Sequence, residues 1–382
     1  MRAPCFPMIS RKTRYFNTKN TACPKRPSRA ASLLSASVFL FVLLLRRGVQ
    51  LGTSQRDCQE AYGDGDLNHG PIFTRPRVYL CGYTFWRFCE AVFPDYQCFQ
   101  ARPGAGDEHD VLLVGMHRGC EVEGEFPGKR VYINGEPDAG PYASTAYYLG
   151  PVQRESNNSM QLYFSSVAAL KMPFVFTSFT ERPRNSQENF LIYISRRCLS
   201  HRENAFNMFS TLGIVTAGGA CRGDSVQNET RRDSFNFNII DGAGDWSDAY
   251  KLYSRYKFGL VMENTRTDGY ISEKILNAFA GGTVPIYYGT EDVFQVFNAD
   301  AFVYFNDSHP EAALQKVKEL LESDQMYEDM LSQPILAPGA YEKYFSMWGW
   351  GEVSLRIRDF LGIKGRPCNK EFCDSNSSSA LA

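Results

Sequence analysis

The sequence predicts an α/β protein made of two halves, each built on a parallel sheet, facing each other across a cleft. Three observations carry this reading. Short apolar runs alternate with helical patterns along the body of the chain, the mark of strand–helix–strand units. The 382 residues are 43% hydrophobic and 14% aromatic, enough for two cores. A polar, proline-bearing stretch, ERPRNSQEN ending at Asn189, divides the body into halves of similar size.

In the first half the strand candidates are Arg77–Cys81, Asp110–Met116, Arg130–Asn134 and Ala146–Leu149. In the second they are Phe190–Ser195, Lys257–Met262, Thr283–Tyr288 and Ala301–Phe305. Three helices are expected. Arg202–Leu212 puts Phe206, Phe209 and Leu212 on one stripe and stops at Gly213. Ser272–Ala280 gathers Ile275, Leu276 and Phe279 before Gly281-Gly282. Glu311–Leu331 follows Ser308 and Pro310, with Leu314, Val317, Leu320 and Leu321 on one face. The polar run Val152–Asn158 is read as a loop. The expected organisation is 76–184 and 185–350 for the two domains and 351–382 for a C-terminal extension with a disordered tail. Ligands of such sheets bind where strand ends meet a cleft.

The 41 basic and 42 acidic residues hide an asymmetry. Residues 1–47 hold ten Lys/Arg and no acid, which leaves the rest of the chain at a net charge of −11. An acidic body argues against general nucleic-acid binding, which relies on clustered cations. Ala30–Leu45 is an uncharged apolar stretch of 16 residues, about 24 Å long as a helix, short for an average bilayer. The basic tail 1–29, the lack of a small-x-small cleavage pattern and the short span point to a signal anchor with a cytoplasmic N-terminus. A stem over 46–75 and a lumenal body follow. Arg46 and Arg47 weaken the charge bias, and an organelle transit peptide is the alternative. Nine of the eleven cysteines follow the apolar stretch without zinc-like spacing, so disulfides in an oxidising compartment are expected, their pairing open. Glycosylation acceptor triplets stand at Asn157, Asn228, Asn306 and Asn376.

The most informative segment is Tyr256–Gly289, YKFGLVMENTRTDGYISEKILNAFAGGTVPIYYG. It reads as a buried strand, a polar loop, a helix start and a second buried strand. Glu273 and Lys274 fall in the first helical turn, where the dipole favours an anion and gives a lysine nothing. A lysine there suggests an anionic ligand, and Glu273 could accept from sugar hydroxyls. The bland alternative is a solvated helix cap.

The longer pattern resembles the donor-binding signature of the α1,3-fucosyltransferases, glycosyltransferase family ten. The resemblance is carried by Tyr256-Lys257-Phe258, Glu263-Asn264, Tyr270-Ile271-Ser272-Glu273-Lys274, Ala278 and Val284-Pro285-Ile286. It extends from about Asp110 to Glu322. Within it, Asn189–Gly223 looks like the first strand–helix unit of the donor domain, and Arg202 matches an arginine that contacts the nucleotide's diphosphate. Phe126–Pro137 resembles an acceptor-domain strand ending in an acidic turn, and its Glu136 matches the general base.

The resemblance implies two Rossmann-like domains of the GT-B type and inverting transfer of L-fucose from GDP-β-L-fucose. The product would be an α1,3 linkage on N-acetylglucosamine or glucose of a glycoprotein or glycolipid glycan. Glu136 would take the acceptor proton, Arg202 and Lys274 would meet the departing diphosphate, and Asn264, Tyr270 and Glu273 would hold the donor. The implied setting is a single-pass type II protein of the Golgi membrane with its catalytic body in the lumen. No metal or other cofactor is expected, with stimulation by divalent ions left open. Asp64-Gly65-Asp66, the one Asp-x-Asp of metal-binding form, sits in the stem and reads as a solvated turn. The alternatives are a two-Rossmann enzyme for another nucleotide sugar and a non-catalytic GDP-sugar or glycan binder.

Overall fold

The structure, a computed structural model, describes residues 76–81, 85–115, 120, 122–138, 146–153, 155–172, 182–185, 187–221, 237–240 and 246–363. The apolar stretch 30–45, the Asp64–Asp66 turn, Asn228, Asn376 and the cysteines at 58, 368 and 373 lie outside them. Among the described residues no helix is long and apolar enough to cross a membrane.

The first half contains β1 (Arg77–Cys81), α1 (Trp86–Val92), β2 (Gln97–Gln100), β3 (Val111–Gly115), β4 (Lys129–Ile133), β5 (Tyr147–Gly150), β6 (Ser159–Gln161) and α2 (Phe164–Ala169). Its strands form one six-stranded sheet in the order β2-β1-β3-β4-β5-β6. Every pairing is parallel. The sequence VLLVG of β3 is buried at every position, as a strand covered on both faces requires.

The second half contains β7 (Asn189–Ser195), α3 (Ser200–Phe209), β8 (Val215–Gly219), β9 (Phe237–Ile240), α4 (Tyr250–Tyr253), β10 (Tyr256–Met262), α5 (Glu273–Ala280), β11 (Val284–Tyr288), α6 (Val293–Val296), β12 (Val303–Tyr304), α7 (Pro310–Glu322) and α8 (Asp324–Leu331). A second six-stranded sheet runs β12-β11-β10-β7-β8-β9. It too is parallel throughout. In each sheet the order reverses beside the first strand, and the loops at the carboxyl ends of the neighbouring strands open the crevice in which ligands bind.

Three expectations need revision. The single helix Glu311–Leu331 is two helices, because Ser323 adopts an extended conformation and its side chain caps α8 by accepting from the Met326 N–H at 3.3 Å. The strand Ala301–Phe305 shortens to Val303–Tyr304, since residues 299–301 form a helical turn capped by Asn298. The helix expected at Arg202–Leu212 starts earlier, at Ser200, and ends at Phe209. Among the described residues, three disulfides join Cys81 to Cys120, Cys89 to Cys98 and Cys198 to Cys221.

The two sheets share an apolar seam. Helix α2 is buried along its whole length and packs on α5, and the Ser165 N–H donates to Ile271 O at 3.0 Å. After α8 the chain makes a π-helical turn at Tyr341–Phe345 and ends in α9 (Glu352–Phe360), which returns to the first half. Arg358 of α9, 2% exposed, holds both carboxylate oxygens of Asp95, at 2.6 and 2.8 Å. Its guanidinium lies 4.7 Å from the centre of the Trp350 ring. Arg358→Met keeps the apolar stem but leaves Asp95 without its cation. The expected result is a loss of about 3 kcal/mol in urea unfolding. A loss below about 0.5 kcal/mol would show that the contact does not tie α9 to α1.

Candidate functional site

The site forms where the carboxyl ends of β4 and β10 approach each other. Strand β4 ends at Ile133, and Asn134 then folds the acidic turn. Its side-chain oxygen accepts from the Glu136 N–H at 3.0 Å, and its amide nitrogen donates to Glu136 O at 3.1 Å. Gly135 permits this turn, since a Cβ there would lie 2.5 Å from the Phe164 ring of α2.

From the other half, the Asn264 amide donates to Glu136 Oε2 at 3.0 Å and the Tyr270 hydroxyl approaches the same oxygen at 3.3 Å. Asn264 and Tyr270 also join each other at 3.1 Å. Both contacts fall on Oε2, and Oε1 has no partner among the described residues. Burial and the nearby carboxylates of Glu263, Glu136 and Glu273 hold the Tyr270 phenol far above its ordinary pKa, so it serves as a donor.

Arg202, at the start of α3, is 3% exposed. One of its terminal nitrogens donates to Met262 O at 2.7 Å and Asn264 Oδ1 at 2.8 Å, and the other to Ser195 Oγ at 3.1 Å and Arg197 O at 3.2 Å. Its grip on Oδ1 turns the Asn264 amide toward Glu136. No carboxylate pairs with this guanidinium among the described residues, and its Nε is buried without a partner. A buried cation held only by neutral oxygens keeps a positive charge without a contacting counter-ion.

Lys274 is not the free cation that a bare helix start suggests. Its Nζ lies 3.0 Å from Glu263 Oε2 and 2.9 Å from Ser272 Oγ. Glu263, fully buried at the end of β10, also accepts from the Ser272 N–H and hydroxyl, each at 2.8 Å. Burial works against the Lys274 charge, but Glu263 and Glu273 outweigh it and hold its pKa above the ordinary lysine value. Glu273 stands 4.0 Å from Lys274, and burial raises its own pKa despite that neighbour. The site residues Glu136, Arg202, Asn264, Tyr270, Glu273 and Lys274 therefore occupy one connected region.

Sequence reasoning gave no role to two members of this region. Glu263 entered it only as part of the family pattern, although a carboxylate directly after seven strand residues, eleven before a lysine, was an available signal. His201 donates from Nε2 to Glu263 O at 3.2 Å and packs on the Tyr288 ring at 4.5 Å. Burial lowers its pKa, which keeps it neutral.

Of the acceptor triplets, Asn157 is exposed in the β5–β6 loop. Asn306 is half-buried at the rim, where its Oδ1 accepts from the Ser308 N–H at 3.0 Å and from Arg266 at 3.4 Å. Among the described residues, Cys198, Glu203 and Cys221 are the one group placed closely enough to share a metal. The two sulfurs are joined in a disulfide and Glu203 accepts from Tyr193 at 2.9 Å, so this set does not fit a metal.

Two parallel α/β sheets with a carboxylate, a buried arginine and a helix-start lysine at their facing strand ends define a glycosyltransferase-like architecture of the GT-B type. A crystal structure of an α1,3-fucosyltransferase with GDP shares this fold at a TM-score of 0.50 and 18% identity, over 78% of this chain and 92% of that one. Residues 188–332 of the chain match the model of the glycosyltransferase family 10 (fucosyltransferase) C-terminal region.

Relatives in sequence include an Acanthamoeba polyphaga mimivirus protein bearing a fucosyltransferase name, 26% identical over 65% of this chain and 40% of its own length. The Helicobacter pylori α-(1,3)-fucosyltransferase FucT is 32% identical over 34% of this chain and 24% of its own. A GDP-fucose protein O-fucosyltransferase 3 of Canis lupus familiaris is 33% identical over 36% and 28%, respectively. The matched regions thus cover less than half of these relatives.

Proposed function

We propose that this protein is an inverting fucosyltransferase that moves L-fucose from GDP-β-L-fucose, in α1,3 linkage, to N-acetylglucosamine or glucose of a glycoprotein or glycolipid glycan. The observation that carries the reading is the junction of Glu136 with Asn264 and Tyr270, which puts a carboxylate of one half against the donor signature of the other. The family match over 188–332 and the H. pylori relative support the donor and the linkage.

In this reaction Glu136 takes the proton from the acceptor hydroxyl through Oε1, while Asn264 and Tyr270 fix Oε2 and so the orientation of the carboxylate. The acceptor oxygen bonds to the anomeric carbon as the carbon–oxygen bond to the diphosphate breaks, with inversion. Charge then grows on the departing diphosphate, where Lys274 supplies an ammonium and Arg202 a buried positive field. Glu273, half-buried in the first turn of α5, accepts from a donor hydroxyl. With these two cations the mechanism needs no bound metal or other cofactor. We also place the chain in the Golgi membrane, anchored by residues 30–45, with its body lumenal.

The test is transfer from labelled GDP-fucose by the full chain to lactosamine, a core N-glycan peptide, a folded protein with Ser/Thr acceptors and water. Transfer to a glycan, with the α1,3 bond identified by NMR of the product, is the expected result. Transfer to the protein alone would favour the O-fucosyl branch represented by the canine relative. Absence of GDP-fucose binding by folded protein would overturn the donor assignment.

A further inference from the structure

The turn that follows β11, Gly289-Thr290-Glu291-Asp292, lies beside the loop that follows β10, because the two strands pair in parallel as far as Met262 and Tyr288. That loop carries Asn264 near one end and Tyr270 near the other, the two side chains that meet Glu136 Oε2. Two neighbouring acids of the turn grip it. Glu291 Oε1 accepts from Arg266 at 2.5 Å on the exposed side. Asp292 Oδ2 accepts from the Gly269 N–H at 2.7 Å in a partly buried position.

Asp292 stands at the N-cap position of α6, where an aspartate ordinarily accepts from an N–H of its own helix. Here its side chain makes no such bond and turns instead to a residue 23 positions earlier. Thr290, 1% exposed, shapes the turn by accepting from the Asp292 N–H at 3.2 Å. Asp292 Oδ1 accepts from the Gln295 amide at 3.2 Å, and no cation pairs with the carboxylate among the described residues. The short, charge-assisted bond to Gly269 is therefore its strongest contact.

Gly269 is held from the first half as well. Its φ is +80°, and a Cβ there would fall 2.0 Å from Pro151 O and 2.5 Å from the Gln161 amide. The residue next to this pivot is Tyr270, 1% exposed, whose hydroxyl reaches Glu136 at 3.3 Å.

We infer that Asp292 is a positioning residue: by fixing the Gly269 N–H it sets where Tyr270 meets Glu136 Oε2, and so keeps Oε1 aimed at the acceptor. The inference rests on the fucosyl-transfer reading above and adds to it a residue that acts through Tyr270. A misplacement of about 1 Å can cost about 100-fold, and slackening one of two donors to the carboxylate is a milder fault, so the expected loss is about tenfold.

The test measures kcat, GDP affinity, urea unfolding and amide hydrogen exchange in the full chain. Asp292→Ala lowers kcat about tenfold, leaves the Kd for GDP within about twofold, and speeds exchange over residues 264–271 above all. Asp292→Asn, whose carbonyl oxygen still accepts from Gly269, keeps at least about half of the native kcat. Asp292→Ser is too short to reach Gly269 but can cap α6, so it loses kcat as alanine does while keeping the native unfolding midpoint. Tyr270→Phe also loses about tenfold, and in that background Asp292→Ala costs less than about twofold more. Losses that multiply in the double variant overturn the inference, as does native kcat in the serine variant. Should the native chain fucosylate no acceptor while Asp292→Ala still loosens residues 264–271 alone, the activity falls and the contact stands. An active native chain with unchanged kcat and exchange in Asp292→Ala gives the reverse.

Discussion

Glu136→Gln is expected to lower kcat about 10³-fold while leaving GDP binding within about twofold of the native value. Glutamine preserves the shape, and its carbonyl oxygen can still accept from Asn264 and Tyr270, which now meet Oε2 at 3.0 and 3.3 Å. What it cannot do is take a proton through the other position. The loss should therefore fall on kcat and kcat/KM alike, as for an interaction made only in the transition state. Steady-state kinetics with GDP-fucose, beside calorimetry with GDP, separates this from a structural failure. Retention of more than about a tenth of native kcat would remove Glu136 as the base.

The second large effect concerns the pair beneath the donor helix. Lys274→Ala removes the ammonium proposed to meet the diphosphate and also strands Glu263, which is fully buried. Breaking a buried pair on one side costs about 3 kcal/mol, and Ser272, which stays bonded to Glu263, limits the loss. Stability and turnover should then separate in the double variant Glu263→Gln/Lys274→Met. It recovers most of the unfolding free energy, because no buried charge is left unpaired, yet it stays inactive. A double variant as unstable as Lys274→Ala would mean that the pair acts through packing alone. The sign with pH follows from the raised lysine pKa. The stabilisation is fully present below the ordinary lysine value of 10.5 and is lost only as pH rises through the higher folded-state value.

Much of this fold was legible because its signals are local. The buried runs of β3, β7, β10 and β11 announce strands wherever they are placed, and the cap at Ser272 with Gly281-Gly282 beyond Ala280 bounds α5. The family pattern over Tyr256–Gly289 works in the same way, since the segment folds onto itself as strand, loop, helix and strand. Short edge strands were harder to see: β2, β6 and β9 have 4, 3 and 4 residues, too few for a period. The break at Ser323 had its cap residue in view but was hidden by apolar positions that keep one face across it.

The residue types of the site, and the helix start that presents Glu273 and Lys274, follow from sequence, because cap, dipole and apolar stripe all act within a few residues. Three matters depended on tertiary contact. Glu136 meets Asn264 and Tyr270 across 128 and 134 residues of chain. Arg202 becomes a buried cation without a carboxylate, and Lys274 a paired one, only because β10 delivers Met262, Glu263 and Asn264 between them. Arg358 meets Asp95 across 263 residues because α9 returns to the first half. The physical reason is shared: burial and pairing set whether a charge is compensated, and both belong to the neighbours that folding supplies rather than to the residue itself.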